Sequence, residues 1–177
     1  MALRHTILAT LGNEAFSGYD LWKKFTEGTN HYWKASQQQV YRELSKLETQ
    51  GAIASEIVAQ EGRPDKKLYR ITVIGKEILT AWAAKPSEPM AVREELLVKV
   101  IAAHLVSPAI IIQELKRRHQ IHSQRLAAYK NTEQEKCADL SKLTLAEKCR
   151  YLTLRRGIRY EREWVEWCEE AIAMLDR

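Results

Sequence analysis

The sequence holds only three cysteines, at 137, 149 and 168, an odd and widely spaced set that frames neither a disulfide scaffold nor a zinc site. Their scarcity fits a reducing compartment. There is no phosphate-cradling glycine loop, no Ser-His-Asp arrangement and no carboxylate pair with a recognisable motif, so no enzymatic activity and no cofactor or metal are expected. Long apolar runs are missing as well. The most apolar segment, 96–106, is broken by Lys99 and His104, well short of the roughly 20 residues a bilayer-spanning helix needs. The N-terminus lacks the apolar core of a secretory signal. These absences lead us to expect a soluble, cytoplasmic protein without a membrane partner. A strong charge bias is lacking too: 28 basic residues stand against 23 acidic ones. Such a small excess proves nothing about nucleic acid, so the distribution of charge over a face decides.

Residues 36–72 supply that distribution. Ser36 is a good N-cap, and Gln39 stands three residues on, where a capping-box partner belongs. Val40, Leu44 and Leu47 form one apolar stripe at helical spacing, and Gly51 lies where a helix-ending glycine is expected. The opposite face carries Gln38, Arg42, Ser45, Lys46 and Thr49 without an acidic residue. Gln and Arg are side chains that read purine edges bidentately in a major groove. The segment reads as a recognition helix.

Behind it, residues 52–60 alternate as a strand with Ile53 and Ile57 on one side, and 61–65 (EGRPD) is turn chemistry. Residues 66–72 return as a second strand, with Tyr69 and Ile71 on one face and Leu68 and Arg70 on the other. Arg63, Lys66 and Lys67 therefore cluster at a hairpin tip, placed either to reach phosphates or merely to keep an edge soluble. Their position directly after the helix favours DNA. Upstream, Leu3, Ile7, Leu8 and Leu11 form a short helix ending at Gly12. Ser17 caps a second helix, with Asp20 at the box position and Leu21, Trp22 and Phe25 following. That helix stops near Gly28, and Tyr32 and Trp33 read as packing residues under the connection. Lys23, Lys24 and Lys34 flank the groove.

The order of helices, the run YRELSKLETQG at 41–51, and GRPDKKLYRIT at 62–72 followed by Gly75 and a helix reaching Trp82 resemble the PadR family of winged-helix transcription regulators. The segment 153–175, TLRRGIRYEREWVEWCEEAIAML, resembles the last helix of its AphA-like, virulence-activator-type subfamily. The resemblance spans about residues 3–175. It implies a homodimeric DNA-binding regulator whose tail is the dimerisation module. Some members of the family respond to small phenolic or planar compounds, but no residue here announces such a site.

Prolines at 86 and 89 mark a boundary. Before it, 73–84 forms a helix with Ile74, Ile78 and Leu79 toward the core. After it, three helical segments follow with no strand signal. Residues 90–105 are apolar over so wide an arc that more than one side must be covered: Val92, Leu96, Val100 and Ala103, with Leu97, Ile101 and Leu105 beside them. Ser107-Pro108 opens a long helix carrying Ile111, Leu115, His122, Leu126 and Tyr129. Thr144 with Glu147 opens a last one carrying Tyr151, Leu154, Ile158, Val165, Cys168, Ile172 and Leu175. Both run about 30 residues, roughly 45 Å, and their narrow stripes resemble coiled-coil seams. A two-fold dimer that shares one core is the economical solution; a helical hairpin folded back on the first domain is the other. His119 and His122, three apart, have a chelating separation but no third ligand in sequence. Trp164, Trp167 and Tyr160 read as packing rather than as a ligand pocket.

The fold expected is mainly α with a small β-ribbon: an N-terminal winged helix-turn-helix over 1–85 and C-terminal long antiparallel helices over 86–177 forming a dimerisation domain. The function expected is sequence-specific regulation of transcription by a homodimer on a pseudo-palindromic operator in double-stranded DNA. Candidate DNA-binding residues are Tyr19, Lys34, Ser36, Gln37, Gln38, Gln39, Tyr41, Arg42, Lys46, Arg63, Lys66 and Lys67. Candidate dimerisation residues are Leu96, Val100, Leu115, Tyr151, Leu154, Ile158, Val165 and Ile172. A protein–protein adaptor on the same scaffold, or a regulator sensing a small-molecule effector of unknown kind, are the alternatives.

Overall fold

The computed structural model describes residues 2–27, 35–60, 62, 65–89, 91, 93–136 and 139–176. Gly28, Tyr32, Trp33, Lys34, Arg63 and Val92, with the roles expected of them, lie outside these residues. The chain forms two compact units, Met1–Glu88 and Pro89–Arg177. It is mainly helical, with one small antiparallel sheet.

In the first unit the order is α1 (Ala2–Leu11), β1 (Phe16–Ser17), α2 (Gly18–Glu27), α3 (Gln37–Thr49), β2 (Ile53–Val58), β3 (Lys66–Ile71) and α4 (Val73–Ala83). The stripe of α3 does what its spacing predicts: Val40, Leu44 and Leu47 are fully buried, against Ile7, Leu8, Leu21 and Phe25 of the two preceding helices. Ser36 caps α3 with a complete capping box. Its C-terminus passes into Gly51 at φ +67°, a left-handed conformation that glycine adopts at little steric cost.

Thr72 joins the end of α3 to the start of α4. Its hydroxyl donates to the Gly51 carbonyl at 2.6 Å, and its oxygen accepts the Gly75 N–H at 3.2 Å. Its own N–H donates to the Ala52 carbonyl at 3.1 Å. These bonds satisfy groups that a helix end would otherwise leave orphaned, and they draw Gly75 tightly against Ala52.

Three details depart from the sequence reading. The wing is a three-stranded sheet of order β1-β3-β2, not a two-stranded ribbon. Phe16 and Ser17 pair with Tyr69 and Leu68, and two residues are too few to carry a periodic signal. Ile57, expected on the inward side with Ile53, is 73% exposed, whereas Ile53 is 2% exposed. Both lie on one face of β2, but the helical layer covers only its beginning. On α4, Ile78 and Leu79 pack against the core, while Ile74 is half exposed.

In the second unit, α5 (Glu95–Ile101) tightens into a 3₁₀ turn at Ala102–His104. It is shorter than the helix expected over 90–105, because Glu94 caps it by accepting the Leu96 N–H at 3.2 Å. Then come α6 (Pro108–Lys136), a second 3₁₀ turn (Leu140–Lys142) and α7 (Leu145–Leu175). Thr144 and Glu147 form the anticipated capping box at the start of α7.

The two long helices run antiparallel, as the pairings of Glu133 with Tyr151 and Arg155, and of His119 with Glu169, require. Their apolar contacts fall into two clusters. One joins Leu96, Ala103, Ile111, Leu115 and Cys168, and the other joins Tyr129, Leu154 and Ile158. Between them lies a buried polar pair, His122 Nδ1 at 2.5 Å from Glu161 Oε2, with the imidazole stacked on Trp164 at 4.9 Å between centroids.

The seam residues pack within one chain. Leu96, Leu115, Leu154 and Ile158 are buried within a single chain, Ile158 to 1% exposure, and Val100, Tyr151, Val165 and Ile172 are partly covered there as well. An intrachain helix pair and an interchain one demand the same 3–4 repeat. Here the fold uses that repeat inside one chain.

Candidate nucleic-acid interface

Helix α3 presents its polar face outward. Gln37, Gln38, Arg42, Ser45, Lys46 and Thr49 are all exposed, along a helix of 13 residues. At 1.5 Å per residue it is about 20 Å long, a rod of the width a major groove admits. Arg42 makes no ion pair among the described residues, so its guanidinium is available. Lys46 makes a long contact of 3.9 Å with Glu43.

Not every candidate is equally free. The Gln39 carboxamide oxygen accepts the Ser36 N–H at 2.8 Å, and the Ser36 hydroxyl oxygen accepts the Gln39 N–H at 3.2 Å. Gln39 is thus committed to the cap through its acceptor and retains only its amide hydrogens for a partner, while the Ser36 hydroxyl can still donate. Tyr41 stands over the first residue of α2: a Cβ built on Gly18 would fall 2.8 Å from its ring. Tyr19 is half exposed and tilts against Trp22. Lys24 lies over the Phe16 ring at 4.5 Å, within the range of a cation–π contact. Lys34 and Arg63 lie outside the described residues.

The wing lysines are engaged. Lys66 Nζ is 2.8 Å from Asp20 Oδ2. Lys67 donates to Glu48 Oε2 at 2.9 Å and sits 5.2 Å from the Tyr69 ring centre. Asp20 also takes the Ser17 hydroxyl at 2.8 Å, and Glu48 takes the Ser55 hydroxyl at 2.5 Å. The hydrogen bond from Lys66 draws the Asp20 carboxyl below its ordinary pKa, and that from Ser55, followed by Lys67, does the same to Glu48. The Lys67 ammonium is correspondingly held above its usual value, chiefly by Glu48.

In the sequence Asp20 stands out only as a capping residue, and nothing singles out Glu48. The strand register, with Ile57 opposite Lys67 and Ser55 opposite Tyr69, brings Ser55 and Lys67 within reach of Glu48.

Elsewhere, His119 bonds Glu169 at 2.9 Å while His122 bonds Glu161, so the two histidines serve different carboxylates. Among the described residues no cluster of three or more His, Cys, Asp or Glu side chains could hold a metal, and no helix is long and apolar enough to cross a membrane.

Residues 7–81 match the model of the transcriptional regulator PadR-like family, and residues 92–176 match that of the virulence activator alpha C-term domain. The chain is 32% identical to a probable transcriptional regulator of Mycobacterium tuberculosis, over 99% of this chain and 98% of the relative. It is also similar to the crystal structure of Bacillus subtilis PadR in complex with operator DNA, with a TM-score of 0.87 at 26% identity and 99% of each chain covered. The Vibrio cholerae virulence activator AphA is similar at a TM-score of 0.80 and 31% identity, over 98% of each chain. With full-length similarity of this order, and each half matched by its own model, the chain belongs to the PadR-like family of transcriptional regulators.

Proposed function

We propose that the protein is a homodimeric, sequence-specific DNA-binding regulator that lays one α3 per subunit into successive major grooves of a pseudo-palindromic operator. It acts in the cytoplasm and without catalysis. The observation that carries this reading is the exposed, acid-free face of α3, with Gln38 and Arg42 at its centre, Arg42 making no ion pair among the described residues. Gln37, Tyr41 and Lys46 flank them, Tyr19 and Ser36 serve the adjacent backbone, and the wing contributes Lys66 and Lys67. The solved complex of Bacillus subtilis PadR with operator DNA supports this mode of action.

Residues 1–85 form the reader and 86–177 the dimerisation module. The second unit exposes Val98, Ile101 and Leu105 at 65%, 72% and 76%, three and four residues apart, with Ile110 also exposed nearby in sequence. Several large apolar side chains exposed together mark an interaction surface, and a second copy of the chain is its occupant. A two-fold dimer would set its half-sites about 34–36 Å apart or at multiples of that distance.

Selection of bound sequences from random duplex DNA with the full-length protein tests the proposal. Enrichment of an inverted repeat with that spacing is the expected result. No enrichment over the starting pool overturns it in favour of an adaptor.

A further inference from the structure

Lys66 and Lys67 follow one another on β3 and therefore leave opposite faces of the strand, yet each ends on a carboxylate. Lys66 meets Asp20 of α2 at 2.8 Å, and Lys67 meets Glu48 of α3 at 2.9 Å. Neither carboxylate is a loosely placed neighbour. Asp20 is held by the Ser17 hydroxyl and Glu48 by the Ser55 hydroxyl. Both pairs remain open to solvent, with side-chain exposures of 38% and 37% for the first and 45% and 33% for the second. Exposed pairs of this kind contribute little to stability and exchange partners readily. A phosphate oxygen offers the same charge-assisted hydrogen bond as a carboxylate oxygen.

We propose that Asp20 and Glu48 are specificity-determining residues that act through the wing lysines, standing in for DNA phosphates in the free protein. The inference rests on the DNA-binding reading above. Non-specific duplex is bound almost wholly through phosphate contacts and the counterions they release. Two lysines already neutralised from within add little to that attraction. A specific duplex is first docked by base contacts from α3, which place its phosphates beside the wing. Exchange of carboxylate for phosphate is then nearly intramolecular and proceeds at high effective concentration. The carboxylates thus suppress random binding more than operator binding.

The test uses the full-length chain and the isosteric substitutions Asp20→Asn and Glu48→Gln. Each keeps an oxygen to accept from Ser17 or Ser55, and a thermal melt checks the fold. Binding to the selected operator and to random duplex is followed by fluorescence anisotropy between 50 and 200 mM salt. Each substitution should tighten random-duplex binding and steepen the salt slope by about 0.9, an extra loss of about 3.5-fold over that range. The ratio of specific to random affinity should fall. Adding Lys66→Met should abolish the gain from Asp20→Asn.

If either variant leaves the slope unchanged, or the gain survives Lys66→Met, the carboxylates are braces or general charges and the inference is overturned. If Asp20→Asn does not fold, Glu48→Gln carries the same test through Lys67. Wild-type protein that binds no duplex at all overturns the DNA-binding reading itself and takes this inference with it.

Discussion

Gly75 meets the Ala52 carbonyl so closely that a Cβ on Gly75 would lie 2.1 Å from that oxygen. The obstacle is backbone and cannot rotate away. It arises because Thr72 ties the first turn of α4 to the junction between α3 and β2. Gly75→Ala should therefore cost about 3 kcal/mol, the upper end of overpacking penalties. Gly51→Ala and Gly62→Ala should cost about 1 kcal/mol each, since both glycines have positive φ but a Cβ there would meet only ordinary contact, Ile74 Cδ1 at 3.6 Å for Gly51 and nothing within 4 Å among the described residues for Gly62. Urea unfolding of the three variants checks the ranking. A Gly75→Ala variant no less stable than Gly62→Ala would show that α4 packs differently.

The Tyr129 phenol is buried and pushed up to about 12, first by burial and then by the Glu161 carboxylate. The neutral form is the one favoured in the folded protein. Its contribution to stability is thus fully present below about pH 10 and is lost as the pH rises through about 12. Absorbance titration of the tyrosines should show one ionising roughly two pH units late, and Tyr129→Phe should remove it. The unfolded chain should show no such late step.

His122 and Glu161 pair between two apolar clusters, with Arg125 Nη1 4.0 Å from the other Glu161 oxygen at the solvent side. Removing one member of such a buried pair strands the other, at about 3–5 kcal/mol, whereas replacing both with apolar residues of similar volume is often tolerated. Glu161→Leu should be strongly destabilised, and His122→Leu/Glu161→Leu should be more stable than Glu161→Leu alone. Denaturant melts of the singles and the double give the coupling. Additive losses would mean that the pair is not a unit.

The proposed dimer surface is tested by charge on exposed residues rather than on the core. Val98→Glu/Ile101→Glu should leave the helix pair folded, because both side chains point into solvent in one chain. It should shift the sedimenting species to a monomer by placing unpaired charge in the interface. Ile158→Glu should instead unfold the second unit. Retention of full dimer mass by the first variant would place the interface elsewhere.

Much of this fold was legible because it is local. The Ser36 and Thr144 boxes, Gly51, and the stripe Val40, Leu44, Leu47 are set by spacings of three and four residues, and each stands where the sequence put it. The strand Phe16–Ser17 was hidden because two residues have no period. The exposure of Ile57 was hidden because alternation says which face a residue takes, not whether anything covers that face. The lysine–carboxylate pairs and the Gly75–Ala52 approach depend on how strands and helices meet in space. The exposed face of α3 lay in between: its polar character was readable, whereas the position of the Tyr41 ring over Gly18 emerged only with the geometry.

If α3 reads bases, Arg42 is the residue on which recognition turns. Affinities of wild type and Arg42→Ala for the selected operator and for random duplex, at one fixed salt concentration, measure it. Arg42→Ala should lose about 1–3 kcal/mol on the operator, with relaxed preference at particular base pairs and little change on random DNA. Equal losses on both duplexes would contradict it and place Arg42 on the phosphate backbone.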